Sequence, residues 1–161
     1  MQTAIITIST SVAAGRAEDK SGVELAELAQ AVGAHITSRE TVPDDQAQIE
    51  NALRKHVKAG VSLIFTTGGT GLTRDDVTPE ATKAVIDRDA PGFAEALRAE
   101  SLRHTPLGIL TRGVSGIAQE TLIINFPGNP KAIRELFPVI APTLEHVVTT
   151  LHHEGGPTPG H

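Results

Sequence analysis

The sequence predicts an α/β fold of three layers, α/β/α, built on a mostly parallel sheet. Short runs rich in β-branched and apolar residues alternate with amphipathic stretches in the order β-α-β-α-β-loop-α-α-β-β-α. Such alternation favours a parallel sheet with helices on both faces. The chain has 161 residues, of which 39% are hydrophobic, enough for one domain with its own core. We expect that domain over residues 1–153 and a disordered tail over residues 154–161.

The strands are predicted from apolar and β-branched runs. The N-terminal run has no basic segment before it and no long apolar core, which predicts a first strand and not a signal peptide. Strands are expected over residues 4–9, 35–42, 61–67, 109–114 and 121–126.

The first two helices are predicted from residues that favour helix ends. One helix is expected to run from Ser21 as its N-cap to Gly33 as its C′ residue. Residues 43–46 break the second strand and start the next helix, which Gly60 ends.

The later helices are marked mainly by proline. The sequence TPE at 78–80 predicts a helix start with threonine as N-cap, proline at N1 and an acid in the first turn. Pro91 opens another helix. The last helix is expected to kink or break near Pro138 and Pro142, because proline lacks the N–H group and clashes with the preceding turn.

Composition and charge exclude several classes of function. A net charge of −5 and four phenylalanines, with no tryptophan or tyrosine, argue against a nucleic-acid partner. The absence of cysteine removes disulfides, thiolate nucleophiles and cysteine-based zinc sites, and it is compatible with a cytoplasmic location. No apolar run approaches the ~20 residues of a membrane helix, so no membrane partner is expected.

The loop after the third predicted strand has an unusual composition. Residues 67–78 contain three glycines, Arg74 and the adjacent pair Asp75 and Asp76. Glycine N–H groups can converge on an anion, whereas aspartates beside them repel a phosphate unless a cation lies between. The loop therefore indicates a site for a metal-complexed phosphate compound. The alternative is a glycine-rich turn with solvated or helix-capping aspartates.

Other common catalytic motifs are absent from the sequence. No lysine follows Gly71 as in a P-loop, and a dinucleotide fingerprint would need a small residue in place of Arg74. The seven histidines do not cluster with carboxylates at metal-ligand spacing, which favours a structural or solvent-exposed role for each. No serine lies in a nucleophile elbow, so covalent catalysis has no candidate residue.

The loops after the first strand, around Asp44 and after Phe126 are candidates for the same edge of the sheet, because ligands of α/β sheets bind at the carboxyl ends of strands. Locally, residues 44–45 (DD) have the pattern of an N-cap pair and residues 115–116 (SG) that of a hairpin turn. Residues 127–130 (PGNP) have the pattern of a turn with Asn129 as N-cap. The last pattern leaves a helix N-terminus open at the edge of the sheet, which suits an anion.

The glycine loop also begins a wider resemblance. The segments TTGGTG at 66–71 and RDDVTPEA at 74–81 resemble the MoaB/Mog family of molybdenum-cofactor biosynthesis proteins, which includes the gephyrin G domain. The resemblance covers about residues 3–150. The other segments that carry it are AEDKSG at 17–22, VPDD at 42–45, PGF at 91–93 and LIINFPGNP at 122–130.

This resemblance implies the α/β fold and an adenylyl transfer reaction. Members of the Mog type take molybdopterin and ATP with Mg²⁺, form adenylylated molybdopterin and release pyrophosphate. They are homotrimers, and a separate molybdenum insertase uses the product. A non-catalytic trimeric molybdopterin-binding carrier or scaffold of the MoaB type is the alternative. A phosphosugar- or nucleotide-binding regulator of the same fold is a third possibility.

The resemblance also implies site residues. Asp44 and Asp76 match the two catalytic aspartates of the Mog branch, and both are candidate ligands for Mg²⁺. Residues 68–71 match the phosphate-binding loop, while residues 111–116 and 127–130 match segments around the pterin pocket. The candidate substrate- and ATP-binding residues are Thr67, Gly68, Gly69, Thr70, Gly71, Arg74, Thr111, Ser115, Gly116, Pro127, Gly128, Asn129 and Pro130.

Two positions depart from the family pattern. After the first strand the family often has an aspartate and an arginine, whereas this chain has Thr10 and Ser11. Asp75 stands where the Mog branch often has a basic residue. Near the implied ATP contacts, the first departure removes the positive charge of the arginine and the second places a negative charge at position 75.

Overall fold

The computed structural model describes residues 1–153, which contain one six-stranded sheet. Its strands lie in the order β2-β1-β3-β6-β5-β4. Strands β2, β1, β3 and β6 run parallel, whereas β5 is antiparallel to both β6 and β4. The prediction of a mostly parallel sheet is confirmed. The strands are β1 (Gln2–Ile8), β2 (His35–Val42), β3 (Leu63–Thr67), β4 (Arg88–Asp89), β5 (Ser115–Ala118) and β6 (Thr121–Phe126).

Helices cover both faces of the sheet, which completes the predicted three layers. Two short 3₁₀ helices, Pro106–Leu110 and Ala141–Thr143, connect longer elements. The α-helices are α1 (Thr10–Ala13), α2 (Lys20–Ala31), α3 (Gln46–Lys58), α4 (Thr78–Val85), α5 (Pro91–His104), α6 (Pro130–Ile140) and α7 (Leu144–Leu151).

The sheet separates two hydrophobic clusters. One cluster lies under α2, α5, α6 and α7. At its centre, the ring of Phe65 makes edge-on contacts with Phe126 and Phe137 at centroid distances of 5.7 and 5.9 Å. The other cluster joins α3 and α4 to the opposite face through Ile49, Leu53, Ile64, Ala81 and Ile123.

The strand register brings four loops to one edge of the sheet. Thr7 of β1 pairs with Thr67 of β3, which in turn pairs with Phe126 of β6, and Ile8 pairs with Val42 of β2. Because these strands are parallel, their carboxyl ends lie side by side. The loops after β1, β2, β3 and β6 therefore meet at this edge, as the sequence predicted.

Two predicted helix caps are wrong. The N-cap of α2 is Asp19, whose carboxylate accepts a hydrogen bond from the backbone N–H of Gly22 at 2.9 Å, and Ser21 lies inside the helix. The N-cap of α4 is Val77, so Thr78 is its first helical residue. In the second case the threonine hydroxyl donates to a carbonyl of the glycine loop instead of capping the helix.

The predicted hairpin turn at residues 115–116 is also wrong. Both residues lie in β5, and residues 109–114, predicted as a strand, form part of a 3₁₀ helix and an extended connection. The turn begins three residues after Gly116, where Gln119 adopts a φ of 55°. Glycine at position 116 serves packing, because a Cβ atom there would lie 2.9 Å from the carbonyl oxygen of Arg88.

The predicted break in the last helix is confirmed. Helix α6 contains Pro138 and ends at Ile140, and a 3₁₀ turn precedes α7. The predicted disordered tail at 154–161 lies outside the described residues. Within residues 1–153, no helix is both long enough and apolar enough to cross a membrane.

Candidate functional site

Gly68 and Gly69 turn the chain sharply at the end of β3. Their φ angles are 98° and 67°, a region that residues with side chains rarely adopt. A Cβ atom on Gly68 would collide with the carbonyl oxygen of Ile8, and one on Gly69 with the hydroxyl of Thr78. Glycine thus lets the loop backbone lie directly against β1 and the start of α4.

Hydrogen bonds fix the glycine loop to its neighbours. The hydroxyl of Thr78 donates to the carbonyl of Gly68 at 2.9 Å. On the other side, the N–H of Gly68 donates to the carbonyl of Phe126 at 3.1 Å, and the hydroxyl of Thr67 donates to the carbonyl of Pro127 at 2.8 Å. The glycine loop and the loop at 127–130 are therefore held together as one unit.

A buried polar network lies beneath these loops. The side-chain amide of Asn125 donates to the hydroxyls of Thr66 and Thr82 at 3.0 Å each, and its oxygen accepts from the N–H of Val114 at 3.1 Å. The hydroxyl of Thr82 in turn donates to the carbonyl of Thr78. Within residues 1–153, no buried side-chain polar atom lacks a partner. A satisfied network of this kind makes the floor of the site rigid.

Asp76 has a defined position in the second half of the glycine loop. Its Oδ2 atom accepts from the N–H of Thr73 at 3.0 Å and from the hydroxyl of the same residue at 2.8 Å. A Cβ atom on Gly71 would lie 2.8 Å from Oδ2, so glycine at that position makes room for the carboxylate. The side chains of Arg74 and Asp75 are exposed and make no hydrogen bond or ion pair within residues 1–153.

Asp44 is held by the loop after β1. Its carboxylate accepts hydrogen bonds from the N–H of Thr10 at 3.1 Å and from the Thr10 hydroxyl at 2.9 Å. The same hydroxyl accepts a hydrogen bond from the backbone N–H of Asp44 at 3.0 Å. Asp45 caps α3 through the N–H of Gln48. Of the two aspartates, Asp45 is therefore the N-cap of α3, and Asp44 is not. Thr10, one of the departures from the family pattern, is the partner of Asp44.

Arg112, which the sequence analysis did not single out, makes the largest set of polar contacts in this region. Its Nε donates to the carbonyl of Gly71 at 2.8 Å and its Nη2 to the carbonyl of Asp76 at 2.6 Å. Its guanidinium also forms an ion pair with Glu80 in the first turn of α4. The Arg112 hydrogen bond lowers the pKa of Glu80, and the same bond raises the pKa of Arg112.

Two cavities flank the loop at 127–130. The first has a volume of about 260 Å³ and is mostly apolar, with Pro127 and Asn129 in its wall. The second, of about 310 Å³, lies against Gly68 and is also lined by Gly128 and Pro130. The 127–130 loop thus separates two neighbouring spaces at the edge of the sheet.

The two cavities differ in chemistry. Helix α5 and the following 3₁₀ helix supply Leu97, Leu107 and the cation of Arg98 to the first cavity, and Thr111 also lines it. The second cavity is lined by hydroxyl groups, by the glycines at 68 and 128, by apolar side chains such as Ile8, and by two residues of opposite charge, Glu18 and Lys20. Lys20 was missed as a site residue although it lies in the AEDKSG segment that carries part of the resemblance.

Ser115 and Gly116 lie in β5 and do not themselves line either of these two cavities. The buried hydroxyl of Ser115 donates to the carbonyl of Ala90 at 2.6 Å and accepts from the N–H of Ala94 at 3.0 Å. These bonds fix the start of α5 to the sheet. The structure thus gives Ser115 a structural role beside the first cavity.

The described residues contain no cluster of three or more metal-ligating side chains. Within residues 1–153, no group of three or more His, Asp or Glu side chains is placed to hold a metal ion. His56 is buried and bonds to Glu40 at 2.6 Å, which fits the structural role favoured for the histidines. Among the described residues, the carboxylates at this edge of the sheet are therefore not grouped as a three-ligand site.

The comparisons with known proteins agree with this fold. Residues 4–146 match the family described as "Probable molybdopterin binding domain", and the chain belongs to this family. The chain is 45% identical over 135 residues to the molybdopterin adenylyltransferase of Haemophilus influenzae, an alignment that covers 81% of this chain and 68% of that protein.

Solved structures of both named branches are similar to the chain. The molybdopterin biosynthesis enzyme MoaB from Thermus thermophilus has a TM-score of 0.88 and 38% identity, covering 93% of this chain and 95% of that chain. The molybdopterin biosynthesis Mog protein from Mycobacterium ulcerans also has a TM-score of 0.88 and 38% identity, covering 93% of this chain and 98% of that chain. Overall structure therefore does not separate the two branches.

Proposed function

We propose that this chain is a molybdopterin adenylyltransferase of molybdenum cofactor biosynthesis. It transfers AMP from ATP to the phosphate of molybdopterin and releases pyrophosphate. The observation that carries the proposal is the pair of cavities on either side of the 127–130 loop, the first mostly apolar and the second lined about equally by polar and apolar groups. Two unlike substrates can then lie next to each other at the same edge of the sheet, as a transfer between them requires.

The chemistry of the cavities supports one arrangement of the two substrates. The first cavity, with apolar walls and a few polar groups including Arg98 and Thr111, suits a heterocyclic ring such as pterin. The second, with the glycine backbone and Lys20, suits the phosphate chain of ATP.

In the reaction, an oxygen of the molybdopterin phosphate attacks the α-phosphorus of ATP. A new P–O bond forms while the bond from the α-phosphorus to the bridging oxygen of the β-phosphate breaks, and pyrophosphate leaves with that electron pair. This chemistry needs positioning and charge stabilisation more than a protein nucleophile. Lys20 and the backbone N–H groups of residues 69–71 stabilise the negative charge that develops on the phosphates, whereas the N–H of Gly68 is already bonded to Phe126.

The residues at the edge of the sheet fit Mg²⁺. Asp44 and Asp76 present half-buried carboxylates on the loops after β2 and β3, two strands that β1 separates. Within residues 1–153 the Oδ1 atom of Asp76 accepts no hydrogen bond. Mg²⁺ commonly binds through one or two carboxylates together with substrate phosphates and water. When bound, it would neutralise phosphate charge.

The proposal includes a homotrimer in the cytoplasm that delivers its product to a molybdenum insertase. A patch of exposed apolar side chains supports self-association: Leu107 is 67% exposed and Ile109 is 70% exposed, with Leu102 and Leu110 beside them. Apolar side chains grouped in this way are typical of interaction surfaces. Size-exclusion chromatography with light scattering tests the trimer, and substitution of Ile109 by Asp should produce monomers.

A pyrophosphate-release assay tests the activity itself. The purified chain with ATP and Mg²⁺ should release pyrophosphate only when molybdopterin is added. Binding of molybdopterin without pyrophosphate release would instead support the non-catalytic carrier, which the equal similarity to the MoaB structure favours as the second candidate. Nucleotide binding that is indifferent to molybdopterin would support a regulator.

A further inference from the structure

We propose that Arg112 is a positioning residue for the transfer reaction: it holds the glycine loop and Asp76 in place against the wall of the first cavity. The inference rests on the proposed function for its kinetic consequences. Its structural part rests only on the contacts of Arg112.

The contacts of Arg112 span the whole second half of the glycine loop. Its backbone N–H donates to the carbonyl of Thr70 at 2.8 Å, and its side chain reaches the carbonyls of Gly71 and Asp76 and the carboxylate of Glu80. One residue therefore bonds to four positions between the glycines and the first turn of α4. Apart from these bonds, the exposed stretch at 72–75 is held mainly by Thr73.

The chemistry of arginine suits this role. Carbonyl oxygens that face the same space repel one another, and a planar guanidinium offers five N–H donors in a fixed fork. Nε and Nη2 of Arg112 satisfy the carbonyls of Gly71 and Asp76, while Nη1 faces Glu80. Lysine carries the same charge on a flexible stem but lacks the planar fork, so it cannot make this set of bonds with the same geometry.

The backbone on either side of Arg112 is held by a second arginine. Arg98 of α5 donates through Nη1 to the carbonyl of Thr111 at 3.1 Å and to that of Gly113 at 3.2 Å. Arg98, Thr111 and Gly113 all line the first cavity. Thr111 and Gly113 thus belong to the cavity wall, while the side chain of Arg112 between them bonds to the loop that carries Asp76.

This arrangement gives Arg112 an influence on the reaction without contact with a substrate. If the wall of the first cavity places molybdopterin, then Arg112 sets the position of Asp76 relative to that substrate. Loss of Arg112 should therefore loosen the loop at 70–76 and slow the chemical step, while the first cavity keeps its affinity for molybdopterin.

The test compares Arg112→Lys with wild type by hydrogen–deuterium exchange without ligand and by steady-state kinetics. Within 70–76 the amides of Thr73 and Asp76 have acceptors among the described residues, and these two should exchange at least about tenfold faster in the variant. The kcat for pyrophosphate release should fall at least about tenfold, with the KM for molybdopterin changed by less than about threefold. Unchanged exchange at 70–76, or an unchanged kcat, would overturn the proposal.

Arg54→Lys is the matched control. Arg54 also donates from a guanidinium to a carbonyl of α4, that of Ala84 at 3.0 Å, but at the other end of the helix. The Arg54→Lys variant should have the same exchange at 70–76 and the same kcat as wild type. An equal effect of Arg54→Lys would mean that Arg112 acts only through the stability of α4, and the proposal would fail.

A second variant covers the case in which Arg112→Lys does not fold. Glu80→Gln removes the carboxylate partner and leaves the carbonyl bonds of Arg112, so exchange at 70–76 should rise by a smaller factor; no rise contradicts the proposal. If wild type itself releases no pyrophosphate, the proposed function fails, and the exchange data still decide whether Arg112 positions the loop.

Discussion

The two acidic loops at the edge of the sheet are anchored in different ways. Asp76 lies in a loop that has its own internal bonds to Thr73 and an external anchor in Arg112. Asp44 depends on one neighbour, Thr10, which both donates to its carboxylate and accepts from its N–H. The two aspartates carry the same carboxylate, but more hydrogen bonds hold the loop of Asp76 than the loop of Asp44. Substitutions should therefore affect the two loops to different degrees.

Asp76→Asn should have the largest effect. The amide keeps the size of the side chain but removes the charge that would bind Mg²⁺, so pyrophosphate release should fall about 1,000-fold, equivalent to about 4 kcal/mol. The matched control is Asp75→Asn, because Asp75 is the adjacent exposed carboxylate. The assay uses ATP, Mg²⁺ and molybdopterin at saturation, and thermal unfolding checks that both variants fold.

Near-normal turnover of Asp76→Asn would remove this residue from the mechanism. A comparable loss in Asp75→Asn would show that the charge of the loop matters and not the position of one carboxylate.

Asp44→Asn should have the next largest effect. We expect transfer to slow about 100-fold, with binding of molybdopterin retained, because the first cavity is lined by other residues. Isothermal titration with molybdopterin and the pyrophosphate assay separate the two properties. The control is Asp45→Asn, which removes a cap charge at α3 and should lower stability by at most about 1 kcal/mol without changing turnover. A variant of Asp44 that loses binding alone would assign it a structural role.

Thr10→Val should have a smaller effect and tests the anchor directly. It keeps the shape of the side chain, removes the hydroxyl and leaves the carboxylate of Asp44 with one donor, the N–H of residue 10. Turnover should fall about fivefold, since one hydrogen bond to a charged group contributes on the order of 1 kcal/mol at a partly exposed position. Thr10→Ser keeps the hydroxyl and should restore turnover; a Ser variant as slow as Val would rule out the hydrogen bond as the cause.

Glu40→Gln should leave turnover unchanged and alter only stability. Glu40 bonds to Lys55 and to the buried His56 at 2.6 Å each. Burial alone would raise the pKa of Glu40, but the hydrogen bonds and charges of Lys55 and His56 together lower it. A lowered pKa means that this carboxylate stabilises the fold above its unfolded pKa of about 4.3, and that this stability is lost as the pH falls through the lower folded value.

Urea unfolding measures this effect. At pH 7 wild type should exceed Glu40→Gln by about 1 kcal/mol, and the difference should shrink as the pH falls below about 4.3. Glu50→Gln on α3 is the control, because Glu50 has no ion pair within residues 1–153. A difference that does not depend on pH would show that the charge of Glu40 contributes nothing.

Much of the candidate site could be predicted from sequence because it lies in loops with local signals. The glycines at 68, 69 and 71, the aspartates at 44 and 76 and the PGNP segment are all visible in the printed sequence. Arg112 and Lys20 were missed because an isolated basic residue has no local pattern. Their importance comes from where the fold places them. Arg112, for example, bonds to Gly71, which lies some 40 residues away in the sequence.

Ser115 and Gly116 show the opposite error. A serine–glycine pair between two apolar runs has the local pattern of a turn, but the turn lies at Gln119, whose positive φ is supported by bonds to Asp87 and Arg88. Those partners lie more than 30 residues away in sequence. Tertiary contacts can thus stabilise a turn where the local residues do not favour one, and local propensity then points to the wrong position.

The sequence by itself determined the alternation of strands and helices, the two loops that need glycine or proline, and the break in the last helix. These features depend on periodicity and on backbone restrictions, which act over a few residues. Only the tertiary structure decided that Thr10 holds Asp44, that Arg112 holds the Asp76 loop, and that the PGNP loop separates two cavities. Each of these depends on contacts between distant segments, and such contacts exist only once the sheet has brought the loops together.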